Sequence, residues 1–110
     1  MEIRERKSGN RIVVELSGRL TVNDKPGVLR DAITGALRDG AKDVLLDLSG
    51  VRYIDSTRLG ELISAHISVS RSGGRLKLIG TPTTILELLE IAGLQGIFER
   101  HETVEDAIKN

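Results

Sequence analysis

The chain has 110 residues, enough for one domain and short for two. Sixteen basic and sixteen acidic side chains balance to zero and are interspersed, which is not the electrostatic footprint of a nucleic-acid binder. The absence of cysteine excludes disulfides, thiolate metal sites and thiol nucleophiles, and one Tyr, one Phe and no Trp leave little to stack bases or sugars on.

Ile3 lies in a short, charged segment that reads as an edge strand, and "KSGN" (Lys7 to Asn10) reads as a hairpin turn, because Gly9 and Asn10 tolerate left-handed backbone. "RIVVELSG" follows, with Ile12, Val14 and Leu16 on one strand face. Asn23 or Asp24 can cap a helix, and Pro26 suits its first turn. Leu29, Ala32, Ile33, Ala36 and Leu37 recur at helical spacing, and Gly40 ends that helix. "DVLLDLSG" is a near-continuous apolar run, the mark of a central strand, closed by a turn before the short apolar stretch "VRYI".

From Ser56 onward, Leu59, Leu62, Ile63, His66, Ile67 and Ser70 fall on one helical stripe, with Arg58, Glu61, Ala65, Ser68 and Arg71 on the other faces. "SGGR" breaks this helix and "RLKLIG" alternates as a strand. Thr81-Pro82 signals a helix start, Ile85, Leu88, Leu89 and Ala92 form its stripe, and Gly93 stops it. "GIFER" suits a short strand, and Thr103 with Asp106 resembles a capping box for a last helix anchored by Val104, Ala107 and Ile108. The order β-β-α-β-α-β-α-β-α predicts an α/β domain with a mixed sheet that is partly parallel. No apolar run approaches the roughly 20 residues of a membrane span, and "MEIRERKSGN" has no signal-peptide core; the expectation is a soluble, cytoplasmic domain that engages no membrane.

Few residues invite catalysis. His66 sits on an apolar stripe and reads as a buried or rim histidine satisfied by hydrogen bonds, and His101 is remote in sequence. Ser56, His66 and Asp55 make a hydrolytic set on paper, but "DSTRLG" is not a nucleophile elbow. The glycines near Ser72 and Gly80 match no phosphate-cradling loop, and Asp43 and Asp47 have no metal spacing. The reading is a binding or regulatory protein, not an enzyme, with no cofactor and no metal.

The informative junction is Asp55-Ser56-Thr57, where the central strand region meets a helix at the sheet edge that favours partner sites. Two readings compete there. Asp55 or Ser56 caps the helix, worth about 1 kcal/mol. Alternatively, the Ser56 hydroxyl projects from the helix N-terminus and receives a phosphoryl group, whose roughly −1.5 to −2 charge the helix dipole tolerates. In that second reading Asp55 repels the phosphate, and Arg58 offers a compensating pair.

The stretch "LLDLSGVRYIDSTRLGELISAH" resembles the signature of STAS-domain proteins, in particular bacterial anti-sigma factor antagonists, whose D-S-S/T-G-L-G motif opens a helix. "VVELSGRL" resembles the family's early strand and G-x-L turn, and "GGRLKLIGTPTTILELLEIAGLQGIF" its later strand, helix and close. The resemblance implies a single STAS domain over residues 1–110, with a four- to five-stranded mixed sheet and helices packed mostly on one face. It implies an antagonist that binds an anti-sigma factor/serine kinase when unphosphorylated, is released on phosphorylation of Ser56 (Thr57 as the alternative), and is reset by a serine phosphatase; a neutral domain with some apolar surface is compatible with a monomer or a weak dimer. The implied partner surface comprises Asp55, Ser56, Thr57, Arg58 and Thr21. Two positions depart from the motif: Arg58 stands where the family has glycine, and Thr21 where many antagonists have aspartate. A second expectation is a non-switching STAS interaction subunit of a scaffold or lipid-transport complex; a third is a nucleotide-binding or hydrolytic domain.

Overall fold

Apolar periodicity decides where each segment lies in the computed structural model, which describes residues 2–20 and 27–109. The elements are β1 (Glu2–Ser8), β2 (Arg11–Leu20), α1 (Val28–Arg38), β3 (Asp43–Ile54), α2 (Ser56–Arg71), β4 (Arg75–Ile79), α3 (Thr83–Ile91), β5 (Glu99–His101) and α4 (Val104–Lys109). This is the order expected from the sequence. The expected caps Asn23 and Asp24, and Pro26, lie outside the described residues; α1 begins at Val28 with Gly27 at its N-cap.

The five strands stand in sequence order across the sheet. β1 and β2 form an antiparallel hairpin, and β2, β3, β4 and β5 run parallel. Each parallel crossover moves one place in the same direction. Because such crossovers share one hand, the three connecting helices must fall on the same face. The packing agrees: Leu29 and Ile33 of α1, Leu62 and Val69 of α2, and Ile85 and Leu89 of α3 bury against Val14, Leu46 and Leu78 of the sheet. α4 is not a crossover between paired strands among the described residues, and it covers the opposite face through Ala107 against Val13, Leu45 and Ile79. Both faces of β3 are therefore dry at its centre, which is why its sequence there is continuously apolar.

Two expectations change. "DLSG" does not end the central strand. β3 continues to Ile54, and the ladder with β2 shifts register around Ser17 and Gly50. Gly50 permits this bulge because a Cβ there would stand 3.0 Å from the Ser17 Cβ and 3.2 Å from the Leu16 carbonyl oxygen. The buried line of α2 is also rotated from the expected stripe. Arg58, Leu62, Ala65 and Val69 are buried, whereas Ile67 and Ser70 are exposed. α2 packs against both α1 and β4, so its centre line points into the angle between them and its larger apolar residues flank that line.

The back face holds a buried cation. Lys77 takes the polar phase of the alternation in "RLKLI" and is the register partner of Leu45, so α4 covers it and leaves it 2% exposed. Its Nζ donates to the Ala107 carbonyl at 2.6 Å and lies 3.4 Å from Glu99 Oε2. Glu99 also accepts from Arg75, and its Oε2 lies 2.8 Å from His101 Nε2. Burial pushes the Glu99 carboxyl up. The His101 and Arg75 hydrogen bonds, with the Lys77 and Arg75 charges, outweigh that and hold it below its ordinary 4.5.

A carboxyl depressed in the folded state stabilises above its unfolded value, and that contribution is lost as pH falls through the folded one. Urea midpoints for the native chain and Glu99→Gln, taken from about pH 7 to about pH 3, should differ in favour of the native chain at neutrality and converge in acid. A gap independent of pH would remove the ionised carboxylate from the account.

Candidate partner-docking site

The site is the turn from β3 into α2. Asp55 has extended backbone (φ −92°, ψ 175°), and its side chain accepts the Arg58 backbone N–H at 2.9 Å. This is N-cap geometry, in which a carboxylate satisfies one of the orphan donors of the first turn. Capping by Asp55 leaves Ser56 free of that duty. Ser56 is the first helical residue, it is exposed, and its hydroxyl makes no hydrogen bond among the described residues. Thr57 is exposed beside it. The first turn of α2 carries no acidic side chain, so the unpaired N–H groups and the positive end of the helix dipole face outward around Ser56. Of the two readings of the junction, Asp55 takes the cap and Ser56 takes the surface.

Arg58 does not join that surface. It is 2% exposed and pairs with Glu61 one turn further on, whose side chain is 16% exposed. The expectation that Arg58 contacts a partner or pairs with a phosphate on Ser56 is therefore corrected. Its side chain leaves the helix on the inward face, two residues and about 200° round from Ser56. Thr21 lies outside the described residues.

His66 is ten residues from Ser56 along the same helix, about 15 Å at 1.5 Å per residue. No Ser-His-Asp arrangement forms. His66 instead meets Phe98 edge to face, with ring centroids 5.3 Å apart at 64°, and its buried Nδ1 has no hydrogen-bond partner among the described residues. The contact with Phe98 packs His66, half-buried, at the rim of the core, within the buried-or-rim position expected of it.

Two residues at this end of the sheet escaped the reading from sequence. Arg19 and Tyr53 are register partners on β2 and β3, and the Arg19 guanidinium carbon lies 4.9 Å from the Tyr53 ring centroid. The available signal was that the chain's one tyrosine falls three residues before Ser56.

The buried ion pair generates a stability prediction. Arg58→Ala strands a largely buried carboxylate and should cost roughly 3 kcal/mol in urea unfolding, with much of it recovered in Arg58→Ala/Glu61→Ala. Asp55→Ala, which removes the cap, should cost about 1 kcal/mol. A double variant no more stable than Arg58→Ala would mean that the stranded charge is not the cause.

The geometry accords with known proteins. The family model described as "Mlab, STAS domain" matches residues 3–99. The anti-sigma-B factor antagonist of Bacillus subtilis (strain 168) is 33% identical over 94 residues, covering 86% of this chain and 84% of that protein. An anti-sigma factor antagonist from Mycobacterium paratuberculosis superposes with a TM-score of 0.83 at 20% identity, over 98% of this chain and 91% of the other. The phosphorylated form of the Bacillus cell-fate determinant SpoIIAA superposes with a TM-score of 0.75 at 20% identity, over 98% and 97%. The five-stranded sheet with three helices on one face and one on the other is the fold that these structures share with it. The chain belongs to the STAS-domain family, among the relatives of the anti-sigma factor antagonists.

Proposed function

We propose that this chain is a cytoplasmic anti-sigma factor antagonist that works by partner switching at Ser56. Unphosphorylated, it binds an anti-sigma factor that is also a serine kinase, and so frees a sigma factor. The kinase transfers the γ-phosphoryl group of ATP to the Ser56 hydroxyl oxygen; the Oγ–P bond forms, the bond to the ADP oxygen breaks, and the serine proton leaves to solvent or a kinase base. The product carries roughly −1.5 to −2 charges at the docking turn, which expels the partner. A serine phosphatase restores the hydroxyl. The antagonist is substrate and ligand in this cycle and performs no chemistry of its own.

The observation that carries this reading is the division of labour between Asp55 and Ser56. The cap is supplied by a residue that cannot be phosphorylated, and the acceptor is an exposed hydroxyl at a helix N-terminus that tolerates added negative charge. Modification there changes the surface without breaking the fold. The similarity to a relative called an anti-sigma-B factor antagonist, and to a protein solved in a phosphorylated form, supports the same reading.

The test uses the purified chain, its cognate anti-sigma factor kinase and ATP. Mass spectrometry should find one phosphoryl group on Ser56 and none on Ser56→Ala. Ser56→Asp should weaken binding by at least about tenfold, or about 1.4 kcal/mol, with little change in thermal midpoint. Full phosphorylation of Ser56→Ala would sink the assignment and point first to Thr57. A constitutive STAS subunit would yield no phosphorylated form in cells, while Ser56→Asp would still disturb its assembly.

A further inference from the structure

The carboxyl ends of β2 and β3 carry a cation–aromatic pair, Arg19 and Tyr53. The Tyr53 ring is 44% exposed although it belongs to the chain's one tyrosine. Arg19, stacked on it, and the adjacent Arg52 are both exposed. Neither arginine makes an ion pair among the described residues. By contrast, Arg6, Arg30 and Arg75 pair with Glu15, Asp31 and Glu99. Tyr53 precedes Ser56 by three residues, about 10 Å of extended chain. A protein interface of standard size is roughly 30 Å across, so a partner seated on the Ser56 turn reaches this pair.

We propose that Arg19 and Tyr53 form a preorganised anchor that grips a carboxylate side chain of the anti-sigma partner beside the Ser56 turn; this rests on the docking reading above. The cation–π contact restrains the guanidinium over the ring, and its N–H groups, which make no ion pair among the described residues, suit a bidentate carboxylate. Less rotamer freedom is then lost on docking. The Tyr53 ring supplies apolar area that becomes dry when the partner arrives, and Tyr and Arg are the residue types that concentrate binding energy at interfaces. Arg52 adds a second positive charge that draws an acidic surface towards this end of the sheet. The anchor sets which partner fits, and Ser56 sets whether it stays.

The experiment measures the Kd of the purified cognate anti-sigma factor for the unphosphorylated chain and for Arg19→Ala, Arg19→Lys, Tyr53→Ala and Tyr53→Phe, at low and high salt. Arg19→Ala and Tyr53→Ala should each raise Kd by at least about tenfold with thermal midpoints close to that of the native chain. Arg19→Lys should be nearly as damaging, because an ammonium offers no planar fork. Tyr53→Phe should bind as the native chain does, since the ring and not the hydroxyl acts. Binding by Arg19→Ala should depend less steeply on salt. If Arg19→Ala and Tyr53→Ala bind within about twofold of the native chain while Ser56→Asp loses binding, the anchor is wrong and the docking turn stands. If the native chain and Ser56→Asp bind alike, or neither binds, the docking reading fails and takes the anchor with it.

Discussion

The Asp55 carboxylate accepts the Arg58 N–H at 2.9 Å, and the use of every other side chain in that turn follows from this bond. A helix must satisfy its first N–H groups, and a serine at its start is the usual means. With the cap filled from outside the helix, Ser56 faces water at the positive end of a 16-residue helix. A phosphoryl group attached there meets a favourable field and little steric resistance. The partner switch proposed above calls for a site that can take a phosphoryl group without unfolding the domain.

The same turn shows how one substitution reassigns a position. The motif that "DSTRLG" resembles has glycine where this chain has Arg58. A long cation beside a phosphate acceptor suggests a surface role, but α2 lies across the sheet with this position inward. The guanidinium is held there by Glu61, whose Oε1 is itself buried without a hydrogen-bond partner among the described residues. The cation therefore serves the junction between α2 and its neighbours, and among the described residues Arg19 and Arg52 bring exposed positive charge to the carboxyl ends of β2 and β3.

A second interior cation repeats the pattern on the other face. Lys77 holds the Ala107 carbonyl near the end of α4 and shares Glu99 with Arg75 and His101. α4 has six residues, too few to be helical alone, and its apolar contribution to the back face is small. The lysine ties it down by a hydrogen bond to a backbone oxygen that would otherwise be left unpaired near a helix end. The back face is thus closed partly by polar chemistry, and the front face by a larger apolar cluster beside the Arg58–Glu61 pair.

The order of elements, their approximate bounds and the position of the turn from β3 into α2 could all be read from residue patterns, because each is a local property. Ile12, Val14 and Leu16 repeat at strand period, Ile85 and Leu89 at helix period, and Asp55-Ser56 announces a helix start wherever it stands. The Thr103 hydroxyl accepts the Asp106 N–H at 3.1 Å, as that spacing implies. Three things could not be read this way. The continuity of β3 through "DLSG" depends on the close approach of Ser17 on another strand to position 50, where a Cβ would stand 3.0 Å from the Ser17 Cβ. The burial of Arg58 and Lys77 depends on which neighbour covers each face, since helical and strand periods define a face but not what lies upon it. The stacking of Arg19 on Tyr53 joins residues 34 positions apart in sequence, brought together by parallel pairing of β2 with β3. Local chemistry decided where the chain turns and what it offers there; contact between distant segments decided which of those offers reach solvent.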